Sequence, residues 1–190
     1  MRLSNTSIEL ISKYRRYLEE DNLQGFFDAL GGEENTGELF KYMMENIPDF
    51  LSYFIKIPAG CVSSISNPNI HYDSLGFAEE IIECTPYAFA YAQIFSLDLS
   101  QTGIIELPTY CFSWAKIGTL LLPKHLEVIK SYCFTESKIL SSIHIPFSVK
   151  NISDHAFMDG KYEIFSTDKN IIQMLEKCKE VNPEIIIKTK

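Results

Sequence analysis

The fold is decided by residues 107–122, LPTYCFSWAKIGTLLL, because the same pattern occurs once before this stretch and twice after it. The other copies are CTPYAFAYAQIFSLDL at 84–99, IKSYCFTESKILSSIHI at 129–145, and the shorter ISDHAFMDGKYEI at 152–164. Each copy contains one phenylalanine, and Phe89, Phe112, Phe134 and Phe157 are 23, 22 and 23 residues apart. A period of this length is typical of a solenoid built from one small repeated unit.

The positions around each phenylalanine keep the same character from copy to copy. The residue five positions before the phenylalanine is apolar or a cysteine, and the residue two positions before it has a flat ring. The residue directly before the phenylalanine is small, and the residue five positions after it is apolar or a tyrosine. In chain order these columns are Cys84, Leu107, Ile129 and Ile152; Tyr87, Tyr110, Tyr132 and His155; Ala88, Cys111, Cys133 and Ala156; and Ile94, Ile117, Ile139 and Tyr162. Because one such unit cannot bury its own apolar side, we predict stacked units around a continuous core.

A short strand is predicted in each unit from alternating apolar residues. The pairs are Leu97 and Leu99, Leu120 and Leu122, and Ile143 and Ile145. Pro123 and Pro146 follow directly and end the strand, since proline has no N–H to donate to a ladder. A turn then leads to the bend whose phenylalanine fills the interior.

This pattern resembles the BspA-like leucine-rich repeat family. The unit of that family reads roughly leucine-x-isoleucine-proline, a hydrophobic turn, then isoleucine, glycine, two variable residues, alanine and phenylalanine. Here it appears as Ile143-His144-Ile145-Pro146, Val149, Ile152, Ala156 and Phe157, and as Leu120-Leu121-Leu122-Pro123, Leu126, Ile129, Cys133 and Phe134; Lys130 and Ser153 replace the glycine. The resemblance covers about residues 54–188 and implies the fold. It implies little about function.

An earlier, degenerate unit is predicted before the four clear ones. Its motif is Ile55-Lys56-Ile57-Pro58 followed by Val62 and Ile65, which puts Ile70 at the phenylalanine position. The segments on either side of the repeats favour helices. Capping-box spacings at Thr6 with Glu9 and at Asn35 with Glu38, and a possible cap at Asp21, predict helices within residues 1–50.

After the repeats, Thr167 or Asp168 can cap a helix that ends near Asn182-Pro183, and residues 184–188 then form a final strand. We therefore predict an α+β fold: a short leucine-rich-repeat solenoid with parallel strands, an N-terminal helical cap and a C-terminal helix-strand cap. The expected division is 1–50 for the helical cap or accessory domain, 51–166 for the repeats and 167–190 for the C-terminal cap. The alternative for residues 1–50 is that the helices themselves form the recognition surface.

The formal net charge of −8 argues against a protein that binds a phosphate backbone, because such proteins concentrate Lys and Arg. The acidic residues are scattered, which favours a solubilising role over attraction to a basic partner or mimicry of a nucleic acid. No apolar run approaches the ~20 residues of a membrane helix, and no segment within residues 1–14 is apolar like a signal peptide. The sequence thus predicts a cytoplasmic protein without a membrane contact.

No motif for chemistry is found. The four histidines show no metal-ligand spacing, the five cysteines contain no C-x-x-C pair, and no serine stands in a G-x-S-x-G elbow. Cys111 and Cys133 occupy the column of small residues, which favours a packing role. We therefore expect no enzyme activity, no cofactor and no metal, although an enzyme with an unrecognised site remains an alternative.

A binding surface is predicted on the strand face that points away from the core. If Ile143 and Ile145 point inward, their neighbours point outward. The outward candidates are Ser96, Asp98, Thr119, Leu121, Ser142 and His144. The leading hypothesis is a non-enzymatic protein-binding module, such as an inhibitor or adaptor that blocks a partner, for example a phage- or pathogen-encoded antagonist of a host system. The alternative is a structural protein that assembles with itself.

Overall fold

A computed structural model describes residues 3–189 of the chain and shows a solenoid with helices at both ends. The helices are α1 (Asn5–Lys13), α2 (Arg15–Glu19), α3 (Leu23–Leu30), α4 (Thr36–Asn46) and α5 (Lys169–Val181), with a 3₁₀ turn at Phe50–Tyr53. The strands are β1 (Lys56–Ile57), β2 (Tyr72–Gly76), β3 (Glu83–Cys84), β4 (Gln93–Asp98), β5 (Glu106–Leu107), β6 (Lys116–Leu121), β7 (Val128–Ile129), β8 (Lys138–Ile139), β9 (Ile143–His144), β10 (Asn151–Ile152), β11 (Tyr162–Phe165) and β12 (Ile185–Lys188). The predicted α+β fold class is confirmed.

The named strands pair in parallel, as stacked solenoid units require. One side of the solenoid, here called the long sheet, consists of a four-stranded sheet, β2-β4-β6-β8, followed by a three-stranded sheet, β9-β11-β12. The opposite side carries the short strands β1 and β3, then β5, β7 and β10. Equivalent residues of successive units are partners, for example Leu97 with Leu120. Residues 140–142 separate β8 from β9, so the one-residue shift in the repeat spacing appears as a break in the strand.

The four phenylalanines form one stack along the axis of the solenoid. Ring centroids are 5.0 Å apart from Phe89 to Phe112 and from Phe112 to Phe134, and 4.8 Å apart from Phe134 to Phe157. Neighbouring rings are parallel within 8°. All four side chains are buried, so the column that defines the repeat is also the centre of the core.

The N-terminal helices share this core. Five phenylalanines from α3, α4 and the segment after α4 pack mostly edge to face: Phe26, Phe27, Phe40, Phe50 and Phe54. Glu38 of α4 is also buried, and its carboxylate accepts hydrogen bonds from the hydroxyls of Ser4, at 2.6 Å, and Ser7. The apolar cluster is continuous with Ile57 of the first unit, so the helices pack against the first end of the solenoid.

Two of the predicted helix caps are wrong by one or two residues. Ser4, not Thr6, caps α1, because the Ser4 hydroxyl accepts from the Ser7 N–H at 3.2 Å. Asn22, next to the predicted Asp21, caps α3 by accepting from Gly25 at 2.8 Å. Asn35 precedes α4 as predicted but is in the left-handed conformation and forms no side-chain cap, so the capping box with Glu38 is wrong.

The predicted register of the first unit is also wrong. Ile57 pairs with Cys84, so Ile57 belongs to the short-strand column that stands five residues before each phenylalanine. The phenylalanine position of this unit is therefore Val62, which is fully buried, and not Ile70. The sequence Ile-Lys-Ile-Pro has the same pattern as a long-sheet strand followed by its proline. Only Lys56 and Ile57 form a strand, however, and that strand lies on the short-strand side.

The C-terminal end agrees with the prediction. The Asp168 carboxylate caps α5 by accepting from the N–H groups of Asn170 and Ile171, at 2.8 and 3.1 Å. The final strand β12 pairs with β11 over four residues. Asn182, between α5 and β12, connects this end to the turn of the last repeat, since its amide donates to the carbonyls of Phe157 at 2.6 Å and Gly160 at 2.8 Å.

Candidate binding face on the long sheet

The outward surface of the long sheet, here called the long-sheet face, carries more side chains than strict alternation allows. In β4 the buried residues are Ile94 and Leu97, and two consecutive residues between them, Phe95 and Ser96, are not buried. The same spacing recurs in β6 around Gly118. A Cβ at Gly118 would lie 2.3 Å from the carbonyl oxygen of Phe95, so only glycine allows the two backbones to approach here.

The six predicted residues lie on this face in two rows. In the first row, Ser96 of β4 is the register partner of Thr119 of β6. Ser142 lies further along the face, and its hydroxyl donates to the carboxylate of Glu163. Glu163 also forms an ion pair with Lys188 at 2.7 Å, and these two hydrogen bonds, the one from Lys188 first, lower the pKa of Glu163.

The second row is brought together only in part. Asp98 and Leu121 are register partners, but the Asp98 carboxylate accepts from the N–H of Ser100 at 2.8 Å, which gives Asp98 a local structural role. Leu121 and His144 line a common cavity of about 420 Å³, and Asp98 does not line it. His144 pairs with Phe165 of β11, and the two rings are 4.8 Å apart.

This cavity, here called the strand-end pocket, has mainly apolar walls. Phe147 is 75% exposed at its edge and Leu121 is 47% exposed, while Lys124 is the basic group among the lining residues besides the imidazole of His144. Exposed large apolar side chains around a concave surface are typical of an interaction site. Phe147 and Phe165 are not predicted from the sequence, because neither is a direct outward neighbour of Ile143 or Ile145 in the alternating pattern.

A second concave region lies further along the same face. Phe95 and Leu140 are 72% and 70% exposed and line a cavity of about 270 Å³ together with Gly118. Sequence reasoning missed Phe95 because it alternates with Leu97 and Leu99, and strict alternation assigns it to the inward side. The spacing that could have identified it is the three-residue step from Ile94 to Leu97, which recurs from Ile117 to Leu120.

The second region is basic although the chain is acidic. Lys116 and Lys138 line it and are register partners on adjacent strands. Within residues 3–189 neither lysine has a carboxylate within ion-pair distance, whereas Lys161 at the next equivalent position pairs with Glu184 at 3.1 Å. Like charges opposite each other cost stability, so these two lysines are not explained by packing.

Three further observations on the described part of the chain concern metal ligands, thiols and membrane spans. No group of three or more His, Cys, Asp or Glu side chains in residues 3–189 is arranged to hold a metal ion. Burial raises the pKa of the Cys61, Cys84 and Cys111 thiols, which disfavours the reactive thiolate. None of the helices in the described part is long and apolar enough to span a bilayer.

The model of the BspA type leucine rich repeat region matches residues 50–178 in six copies. The chain belongs to this BspA-type leucine-rich repeat family. The match includes the degenerate first unit as well as the four units with a phenylalanine. No curated protein and no solved structure matches the chain. Leucine-rich repeat solenoids generally mediate protein interactions and are typically non-catalytic, so the BspA-type architecture is consistent with a protein-binding module.

Proposed function

We propose that this BspA-type protein binds a protein partner through its long-sheet face and acts without catalysis, as an inhibitor or adaptor. The observation that carries the proposal is the set of large apolar side chains exposed on one face: Phe95, Leu121, Leu140 and Phe147. Monomeric proteins rarely expose such side chains together around concave surfaces without a use for them. Ser96, Asp98, Thr119, Ser142 and His144 lie among or beside these residues and complete the proposed interface.

The proposed partner presents apolar side chains next to carboxylates. Lys116 and Lys138 lie beside Phe95 and Leu140, and Lys124 lies at the strand-end pocket. Carboxylates that dock against these ammonium groups would remove the repulsion between the two register partners. The local basic charge therefore favours an acidic protein surface over a basic one, in spite of the net charge of −8.

The inhibitor or adaptor role follows from what binding alone can do. A protein without a catalytic group changes its partner by covering a surface or by holding two surfaces together. We place this activity in the cytoplasm, and the five free, buried cysteines support a reducing compartment.

The experiment is affinity purification of the tagged full chain from its native host, with mass spectrometry of what is retained. Two double variants test the face: Leu121→Asp with His144→Ala, and Phe95→Asp with Leu140→Asp. The matched controls are Ile105→Asp for the first variant and Ile82→Asp with Ile105→Asp for the second, which place one and two carboxylates at exposed isoleucines on the short-strand side. We expect the double variants to lose the partner, the controls to keep it, and all melting temperatures to stay close to the parent value.

Retention of the same partner by both double variants would move the interface away from the long sheet, first to the N-terminal helices. Weakening of the wild-type complex by salt is expected as well, because the proposed contacts include exposed charges. An affinity that does not change with ionic strength would contradict the proposed acidic partner.

Self-assembly is the second candidate, and one observation favours it. Ile55, Ile82 and Ile105 are exposed on the short-strand side, and the Ile82 N–H donates to the Ile55 carbonyl at 2.9 Å. Two copies could cover each other's exposed isoleucines. Light scattering on the purified full chain decides this: a monomer at all concentrations excludes the candidate, and a dimer that Ile105→Asp dissociates supports it.

A further inference from the structure

Two stacks of aromatic rings run along the turns of the solenoid, outside the core. Tyr87, Tyr110 and Tyr132 form the first stack, with ring centroids 5.1 and 5.3 Å apart and planes within 12°. Tyr91 and Trp114 form the second, with centroids 5.0 Å apart and planes within 7°. In such stacks a ring in the middle has both faces covered by its neighbours, and only a ring at an end has a free face.

Both stacks end at the first unit of the solenoid. Gly60 stands at the position of Tyr87, since the Gly60 N–H donates to the Tyr87 carbonyl at 3.0 Å and both residues have φ of 62°. Ser64 stands at the position of Tyr91, and the Ser64 N–H donates to the Tyr91 carbonyl at 3.2 Å. Neither Gly60 nor Ser64 has a ring. Tyr87 and Tyr91 are therefore the first rings of their stacks, and Tyr87 is 44% exposed.

A cavity of about 250 Å³ lies at this end of both stacks, and we call it the ring-end cavity. Tyr87, Tyr91 and Gly60 line it on the solenoid side, and Gly31 and Gly32 line it from the end of α3. Gly31 and Gly32 have φ of 58° and 81°, values that favour glycine, so this wall is bare backbone. A Cβ at Gly60 would lie 3.2 Å from the Cα of Gly32, which means that this chain cannot supply the missing ring from Gly60 without moving the loop.

We propose that the ring-end cavity binds an aromatic side chain of a protein partner, which stacks on Tyr87 and continues the ring stack by one position. The volume lies just below the range of roughly 300–1,000 Å³ of small-molecule sites, so it suits a single ring rather than an extended ligand. A flat ring in the cavity would contact the free face of Tyr87 and the backbone of the two glycines. Its apolar surface would be removed from water on binding, which is favourable.

The rim of the cavity indicates a peptide segment as the source of this ring. Ile65 lines the cavity and is 62% exposed, which provides an apolar contact for a residue next to the bound ring. A free aromatic metabolite would not use this contact. The lining residues are all different from those of the long-sheet face, so this proposal does not depend on the proposed function and can fail or succeed alone.

The test is an NMR titration of the ¹⁵N-labelled full chain with three probes: N-acetyl-tyrosinamide, N-acetyl-leucinamide, and the capped dipeptide N-acetyl-tyrosyl-isoleucinamide. We expect saturable shifts of the amides of Gly31, Gly32, Gly60 and Tyr87 with tyrosinamide and none with leucinamide. The dipeptide should bind several-fold more tightly than tyrosinamide because its isoleucine reaches Ile65. Equal affinity of the two would overturn the assignment to a protein segment, and the absence of saturable shifts up to the solubility limit would overturn the site.

Variants then distinguish the loss of the ring at the cavity from the loss of any other ring in the same stack. Tyr87→Ala should weaken dipeptide binding about tenfold, because one aromatic pair is lost. Tyr132→Ala is the matched control, since it removes a ring from the far end of the same stack and should leave affinity within about twofold. Ala59→Leu fills the cavity with Tyr87 intact and should abolish binding. Unchanged binding by Tyr87→Ala, or an equal loss with Tyr132→Ala, would refute the proposal.

Discussion

The interior phenylalanine stack allows an estimate of how much one ring contributes to the free energy of unfolding. The substitution Phe112→Ala tests this contribution most directly. Phe112 is fully buried and lies between Phe89 and Phe134, with both centroid distances equal to 5.0 Å. A phenylalanine buries about 200 Å². At about 25 cal/mol per Å² that surface corresponds to about 5 kcal/mol, an upper value because the unfolded chain is not fully extended. Phe→Ala in cores costs about 3–5 kcal/mol, so we expect a loss of about 4 kcal/mol.

Phe95→Ala is the matched control, because it makes the same chemical change at a side chain that is 72% exposed. Its cost should stay below about 0.5 kcal/mol. The assay is urea unfolding of the full chain, followed by far-ultraviolet circular dichroism and by the fluorescence of Trp114, the one tryptophan of the sequence. Coincidence of the two signals checks that unfolding is cooperative along the array. A cost of less than 2 kcal/mol for Phe112→Ala, or equal costs for both variants, would refute the argument that the stack holds the units together.

Three further changes test separate parts of the structure. Glu38→Ala should destabilise the protein by about 2–3 kcal/mol in chemical unfolding, because it leaves the hydroxyls of Ser4 and Ser7 without their charged acceptor; a neutral result would show that this cluster contributes nothing. Gly118→Ala should cost about 1–3 kcal/mol in the same assay, since its Cβ would meet a carbonyl oxygen at 2.3 Å, and a stabilising effect would contradict the close approach of the strands. Burial raises the pKa of Cys178 to about 12, so the stability that this thiol contributes is complete below about pH 8.5 and is lost as the pH rises toward 12. Cys178→Ala should therefore reduce the alkaline slope of the unfolding free energy by up to about 1.4 kcal/mol per pH unit, and identical slopes would exclude the effect.

The repeat can be predicted from the sequence because residues of the same character recur at fixed distances from each phenylalanine. Every column around the phenylalanines has a packing requirement, and the C-terminal cap at Asp168 uses ordinary capping chemistry. The first unit was misread because Gly60 and Val62 replace the residues by which the unit is recognised. Its register could be fixed only by the pairing of Ile57 with Cys84, a contact between residues 27 positions apart.

The candidate surfaces were less predictable than the fold. Strict alternation along a strand predicts correctly that Leu121 and His144 point outward. The same rule predicts wrongly that Phe95 points inward. The two consecutive outward residues at 95–96 break the alternation, and the sequence indicates them only through the three-residue step from Ile94 to Leu97, which recurs from Ile117 to Leu120. The ring-end cavity was not predicted, because it is formed where a helix terminus at Gly31 and Gly32 meets the first unit.

The pairing of Leu97 with Leu120 has a consequence for how proteins of this kind change over generations. Recombination that removes residues 98–120, which are 23 residues, joins the chain at equivalent points of two strands and lets Phe89 stack on Phe134. The reverse event adds one strand and widens the long sheet by about 4.8 Å. The exposed surface of such a protein can therefore grow or shrink in whole repeats through the length of its gene, while the residues that remain keep their pairing.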